Sequence, residues 1–119
     1  MVLKKIGLTG SNGLVGNHLI PMLLKSNFII TPTAKIKTKN FKKLNMLNKI
    51  NEKKLDTIFG NVDCLIHMAS ILPGRKNINK NHLLKVNYIN TKILIDWAFK
   101  RNIYFIFFSS LSIYKKKKN

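Results

Sequence analysis

Short apolar runs alternate along this chain with longer segments in which apolar residues return every three or four positions. Val2 to Thr9 reads as a first strand, although Gly7 inside it is expected to cost side-chain packing. Leu14, Val15, Leu19, Ile20, Leu23 and Leu24 then fall on one face of a helix running from about Gly13 to Lys25. Pro21 removes one backbone hydrogen bond within that helix, which predicts a mild kink between Asn17 and Pro21; Ser26-Asn27 marks its end. Phe28 to Thr31 is the second strand, closed by Pro32, and Lys43 to Met46 is a short third strand inside a polar, basic stretch. Asn51 to Phe59 is a short helix with Asn51 as N-cap, Glu52 in the first turn, and Leu55, Ile58 and Phe59 on one face. The run Val62 to Ser70 reads as a buried strand followed by small residues, as a central parallel strand should. A loop over 71–80, marked by Pro73-Gly74, leads to a long helix over Asn81 to Arg101 carrying Leu83, Val86, Ile89, Ile93, Leu94, Trp97 and Ala98 on its apolar stripe. Asn102 ends it, and Ile103 to Phe108 is a last, strongly apolar strand.

The break between the first strand and the first helix carries the most chemistry. Glycines stand at Gly10, Gly13 and Gly16. Gly10 lets the chain turn out of the strand, Gly13 lets backbone approach a pyrophosphate with no Cβ in the way, and Gly16 lets the helix pack close to the strand. The free N–H groups of the first helical turn, aided by the helix dipole, then point at the phosphates. Gly10 to Gly16, with Ser11, Asn12, Leu14 and Val15 between the glycines, is therefore the candidate phosphate cradle; an ordinary structural turn is the competing reading. A dinucleotide site of this kind uses an acidic residue about 20 positions further on to bind the ribose hydroxyls of NAD. Thr33, Ala34, Lys35, Ile36 and Lys37 stand there instead. Lys35 or Lys37 suits a 2′-phosphate, which tilts the cofactor toward NADP, whereas a solvated loop lysine is the plain alternative.

Composition bounds the rest. A chain of 119 residues with 45% apolar content folds as one domain, short for an enzyme with separate cofactor and substrate regions. The single cysteine, Cys64, has no internal partner, which suits a reducing cytoplasm, and neither a membrane span nor a secretory leader is expected. A formal charge of +18 suggests nucleic acid or an anionic surface. The lysines are spread evenly, however, and they accompany abundant Asn and Ile, residues that share A/T-rich codons. No nucleic-acid motif and no metal-ligand set emerges.

The spacing Thr9-Gly10-Ser11-Asn12-Gly13-Leu14-Val15-Gly16 also resembles the short-chain dehydrogenase/reductase superfamily, above all its extended branch of nucleotide-sugar epimerases and dehydratases. Three further segments resemble that branch in the right order. Asp63-Cys64-Leu65-Ile66-His67-Met68-Ala69-Ser70 is similar to Asp-x-Val-Ile-His-x-Ala-Ala, a segment that runs along the cofactor. The resemblance implies that Met68, Ala69 and Ser70 line the cofactor, the last two on its ribose or nicotinamide side. His67 by itself reads as a satisfied core histidine and Asp63 as structural. Val86-Asn87-Tyr88-Ile89-Asn90-Thr91 is similar to Val-Asn-x-x-Gly-Thr, with Asn90 replacing the glycine, and implies a cofactor-side role for Asn87. Ser109-Ser110-Leu111-Ser112-Ile113-Tyr114 is similar to Ser-Ser-x-x-Val-Tyr, implying that Ser110 bonds the substrate hydroxyl or carbonyl; a polar strand exit is the plain reading. Asn45 falls where extended members carry Asp or Asn near the adenine, or is an ordinary loop amide.

The expected architecture is a three-layer α/β fold of Rossmann type with a parallel sheet, the first strand central and the dinucleotide across the C-terminal strand ends. It occupies residues 1–114 and stops after the fourth main strand, leaving a basic tail over 115–119. The family's catalytic Tyr-x-x-x-Lys pair, in which lysine lowers the tyrosine pKa, is expected a couple of dozen residues beyond Ser110. Tyr114-Lys115-Lys116-Lys117-Lys118 matches the string but lies too near Ser110. The resemblance thus implies the NAD(P)-binding portion of an epimerase, dehydratase or reductase, truncated and with negligible turnover, which meets a small-molecule substrate only when the missing C-terminal part is supplied. The rival is a non-enzymatic basic module for nucleic acid or anionic surfaces.

Overall fold

The computed structural model describes residues 3–71 and 77–109. Five strands form one parallel sheet in the order β3-β2-β1-β4-β5: β1 (Lys5–Thr9), β2 (Ile29–Ala34), β3 (Lys42–Lys43), β4 (Cys64–His67) and β5 (Tyr104–Phe107). The first strand is central, as expected, because β1 pairs with both β2 and β4.

The pleat splits the core in two. Ile6, Leu8, Cys64 and Ile66 face α1 (Leu14–Lys25), meeting Leu19, Ile20 and Leu23. Leu65 faces the other way, into a larger cluster built by Leu55 and Phe59 of α2 (Glu52–Phe59) and by Leu94, Trp97 and Ala98 of α4 (Asn90–Lys100). These are the three layers of a Rossmann-type fold. The register is held at the strand starts by Asp63, whose Oδ2 accepts the Lys4 and Lys5 amides at 2.9 and 2.8 Å. Those two bonds hold its carboxyl below the usual carboxylate range.

Several expectations need correction. Gly7 is not a packing loss: a Cβ there would lie 2.6 Å from Phe59 Cδ1, so the missing side chain is what admits the buried Phe59 ring against β1. Pro32 does not close β2, which continues to Ala34. Ile29 N donates to Lys4 O, and both backbone groups of Thr33 are bonded to Ser11, so alternation turns the Pro32 nitrogen the other way, toward β3. There β3 pairs only from Thr33 onward, and the absent N–H deprives no ladder bond. The helix α1, by contrast, runs to Lys25 with Pro21 inside it, as expected, and Pro21 is exposed. β3 is shorter and earlier than expected. The long helix over 81–101 is three pieces: α3 (Lys80–Leu84), a π turn (Lys85–Ile89) and α4. Asn51 caps α2 as expected, its side chain accepting the Lys54 amide at 2.8 Å.

Candidate functional site

The turn after β1 is shaped by two demands on Gly10. Its φ of +66° is left-handed, and a Cβ there would sit 2.7 Å from the Ala69 nitrogen. Only glycine lets the end of β1 lie this close to the segment leaving β4. Gly16 is as constrained: a Cβ would fall 2.7 Å from the Ser11 carbonyl carbon, so its absence seats α1 on the turn. At Gly13, the N-cap of α1, the nearest atom to a Cβ is Gly10 O at 3.4 Å, and the residue is exposed. The space above this glycine is therefore open. No side chain caps α1 and no acid occupies its first turn, which leaves the amides there to solvent or an anion.

Around this turn the C-terminal ends of four strands meet. A cleft of about 190 Å³ is lined by Gly10, Asn12, Lys35, Asn45, Ala69 and Ser70, with Leu44, Met46, Leu47 and Val86 as its apolar wall. An adjoining opening of about 550 Å³ adds Leu14, Val15, Gly16 and Met68. Ten residues expected at the site thus line the two openings, and Gly13 stands in the turn at the start of α1. Ser11 differs, because its side chain is fully buried: Oγ accepts the Thr33 amide at 3.1 Å and donates to Leu8 O, knitting β1 to β2. Asn87 stands on the π turn and braces the exit from β4, its amide pairing both ways with the Ile71 backbone at 2.9 and 3.0 Å. Asn45 Oδ1 accepts the Leu47 amide at 3.0 Å and shapes the cleft wall. Ser110 lies outside the described residues, as does Tyr114.

No acid lines either opening. Of the four acids in the chain, Glu52 and Asp56 pair with Lys100 and Arg101, Asp63 serves the strand starts, and Asp96 stands on α4 and lines neither opening. Lys35 therefore brings uncompensated positive charge to the rim, one residue beyond the end of β2.

Three buried side chains hold the site from behind: His67 is the satisfied core histidine that the sequence suggests, while the roles of Thr9 and Asn90 were passed over. Thr9 Oγ1 accepts the Met68 and Ala69 amides at 3.0 and 3.1 Å and meets His67 Nδ1 at 2.6 Å. His67 is fully buried, its Nε2 is 2.8 Å from Thr91 Oγ1, and burial pushes its pKa down to about 4, so the ring is neutral near pH 7. Asn90, also buried, donates its side-chain amide to Met46 O and Asn48 O, tying the cleft wall to α4. A polar residue on the apolar stripe Val86, Asn90, Leu94 was the available signal for it.

The sequence profile of the NAD dependent epimerase/dehydratase family matches residues 6–119. The chain belongs to this family. Nicotinamide dinucleotide is accordingly the cofactor class of this epimerase/dehydratase family member. The open space at Gly13 and the uncapped first turn of α1 fit its phosphates. Solved structures share the fold. The ADP-L-glycero-D-manno-heptose-6-epimerase of Helicobacter pylori aligns over 98% of this chain and 42% of its own at TM-score 0.78 and 19% identity. The UDP-N-acetylglucosamine 4-epimerase of Bacillus cereus aligns over 96% and 42% at TM-score 0.76 and 18% identity. A short-chain dehydrogenase/reductase superfamily protein of Agrobacterium tumefaciens with bound NAD aligns over 89% and 32% at TM-score 0.73 and 19% identity. The 119 residues thus span 32% to 42% of these three proteins. No curated protein sequence matches the chain significantly. Among the described residues, no helix is long and apolar enough to cross a membrane.

Proposed function

We propose that these residues are the cofactor-binding part of a cytoplasmic epimerase, dehydratase or reductase acting on a nucleotide sugar or a related alcohol or ketone, and that they favour NADP over NAD. The observation that carries the reading is the glycine turn itself: Gly10 against Ala69, open space at Gly13, and an uncapped helix start beside a cleft whose rim carries Lys35 and no acid. The first-turn amides of Leu14, Val15 and Gly16 take the pyrophosphate. Leu44, Met46, Leu47 and Val86 flank the adenine together with Asn45, and Lys35 meets the 2′-phosphate as a point charge. Met68, Ala69 and Ser70 run along the ribose and nicotinamide. The cofactor supplies the hydride acceptor or donor, and Ser110 bonds the substrate oxygen. The proton-transferring Tyr-x-x-x-Lys pair of the resemblance is not among these residues, so on their own they bind cofactor with negligible turnover.

Thermal unfolding with millimolar NADP⁺ or NAD⁺ tests this. Ligand at 100 times its Kd adds about 2.7 kcal/mol of stability, several degrees for a domain of this size. NADP⁺ is expected to raise Tm more than NAD⁺, and Lys35→Ala to erase the difference, an effect of about fivefold in affinity for one exposed charge pair. A cooperative melt indifferent to both dinucleotides rules the reading out.

A further inference from the structure

The hydrogen-bond pattern around His67 has only one consistent direction. Backbone amides can only donate, so the Met68 and Ala69 N–H groups use the lone pairs of Thr9 Oγ1, and the single Thr9 hydroxyl proton is left for His67 Nδ1. A neutral ring that accepts at Nδ1 carries its proton on Nε2, which donates to Thr91 Oγ1. The Thr91 proton goes on to Val86 O at 3.2 Å, in the π turn. Reversing the series would give Thr9 three donors for two lone pairs and leave its proton without an acceptor.

We infer that His67 and Thr91 are positioning residues: through this one-way series they orient the Thr9 hydroxyl, which clamps the Met68 and Ala69 amides where the backbone of Gly10 passes them. The consequence reaches the cleft without either residue touching it. Gly10 lies so close to Ala69 that any drift of the β4 exit alters the turn, and Met68, Ala69 and Val86 are themselves lining residues. The series joins the ends of β1 and β4 to α4 and the π turn, so the floor and the apolar wall of the cleft are set as one unit. Stacking of the ring on Phe107, with centroids 5.6 Å apart, holds its plane. The link to ligand binding rests on the dinucleotide reading above; the link to the clamp does not.

Two measurements on the free 119-residue chain decide it. Long-range proton–nitrogen NMR of the imidazoles at pH 7 is expected to show His67 as the Nε2–H tautomer. An Nδ1–H tautomer or an imidazolium overturns the inference. Amide hydrogen exchange then compares Thr91→Val with Thr91→Ser. Thr91→Val is expected to speed exchange at Met68 and Ala69 about tenfold relative to Leu65 and Ile66, and Thr91→Ser to restore it. Unchanged exchange at Met68 and Ala69 in Thr91→Val overturns the inference; if that variant does not fold, the wild-type tautomer decides alone. NADP⁺ added afterwards is expected to bind Thr91→Val several-fold more weakly than Thr91→Ser. Failure of NADP⁺ to bind even the wild type sinks the functional reading, and the clamp stands or falls by the first two measurements.

Discussion

Replacing Gly16 by alanine sets two effects of opposite sign against each other. Gly16 is the third residue of α1, and by helix propensity alone Gly→Ala stabilises by up to about 1 kcal/mol. The new Cβ, however, would lie 2.7 and 2.9 Å from the carbonyl carbon and Cα of Ser11, where ordinary contacts begin near 3.4 Å. Those are backbone atoms and cannot rotate away. Ser11 is pinned in turn by its bonds to Thr33 and Leu8, so α1 must retreat by about 0.7 Å or more. Overpacking of this kind costs about 1–3 kcal/mol, which offsets the propensity gain and leaves a net loss of up to about 2 kcal/mol. The same retreat carries the helix amides away from the turn, so dinucleotide affinity falls as well. Urea unfolding of both proteins reads the first effect in the midpoint at constant m, and calorimetric titration with NADP⁺ reads the second. An alanine variant that is more stable than the parent refutes the close-packing argument.

Three other outcomes are expected. His67 is held neutral in the fold with a pKa of about 4 against 6.5 when unfolded. The unfolded chain therefore binds the extra proton, so stability is full above pH 6.5 and falls by roughly 3 kcal/mol down to pH 4; urea midpoints that stay flat from pH 6.5 to 5 contradict the buried neutral ring. The carboxylates of Glu52, Asp56 and Asp63, all lowered by their partners, begin to lose their contribution only below about pH 5, so the interval from 6.5 to 5 reads His67. Asp56→Ala removes the acceptor of the Trp97 indole N–H, 2.9 Å from Asp56 Oδ1, and is expected to lower the urea midpoint, whereas Asp56→Asn keeps an acceptor and lowers it less. Emission from Trp97, the single tryptophan, follows both variants through unfolding. Asn90→Ala frees the Met46 and Asn48 carbonyls, and is expected to lower stability by about 1–3 kcal/mol and weaken NADP⁺ binding; unchanged dinucleotide affinity on titration separates the cleft wall from the site.

The glycine spacing, the apolar runs and the caps at Asn51 and Asn27 are local signals, and they were legible because turn geometry and strand or helix formation are decided within a few residues. The dinucleotide reading and the central position of β1 followed from them. Other features depend on what lies across the fold. Gly7 reads as a weak strand residue until Phe59 arrives from α2, 52 positions later, to occupy the missing side chain's place. Pro32 reads as a stop, but it is tolerated because β3 is too short to need its N–H. Ser11 stands in a phosphate-binding loop by sequence, and only pairing with Thr33 commits its hydroxyl to the protein. Thr9, His67 and Thr91 look like two threonines and a core histidine, scattered over three elements. The parallel sheet brings β1 beside β4 and lays α4 across them, and only then do a threonine hydroxyl, an imidazole and a second hydroxyl have one another as partners in a place without water. Sequence determined which segments form and where the backbone turns and lies open, because those follow from backbone freedom and apolar period. Tertiary structure decided which polar side chains are spent holding the site and which face the ligand, because a buried hydrogen bond needs a partner that only long-range packing supplies.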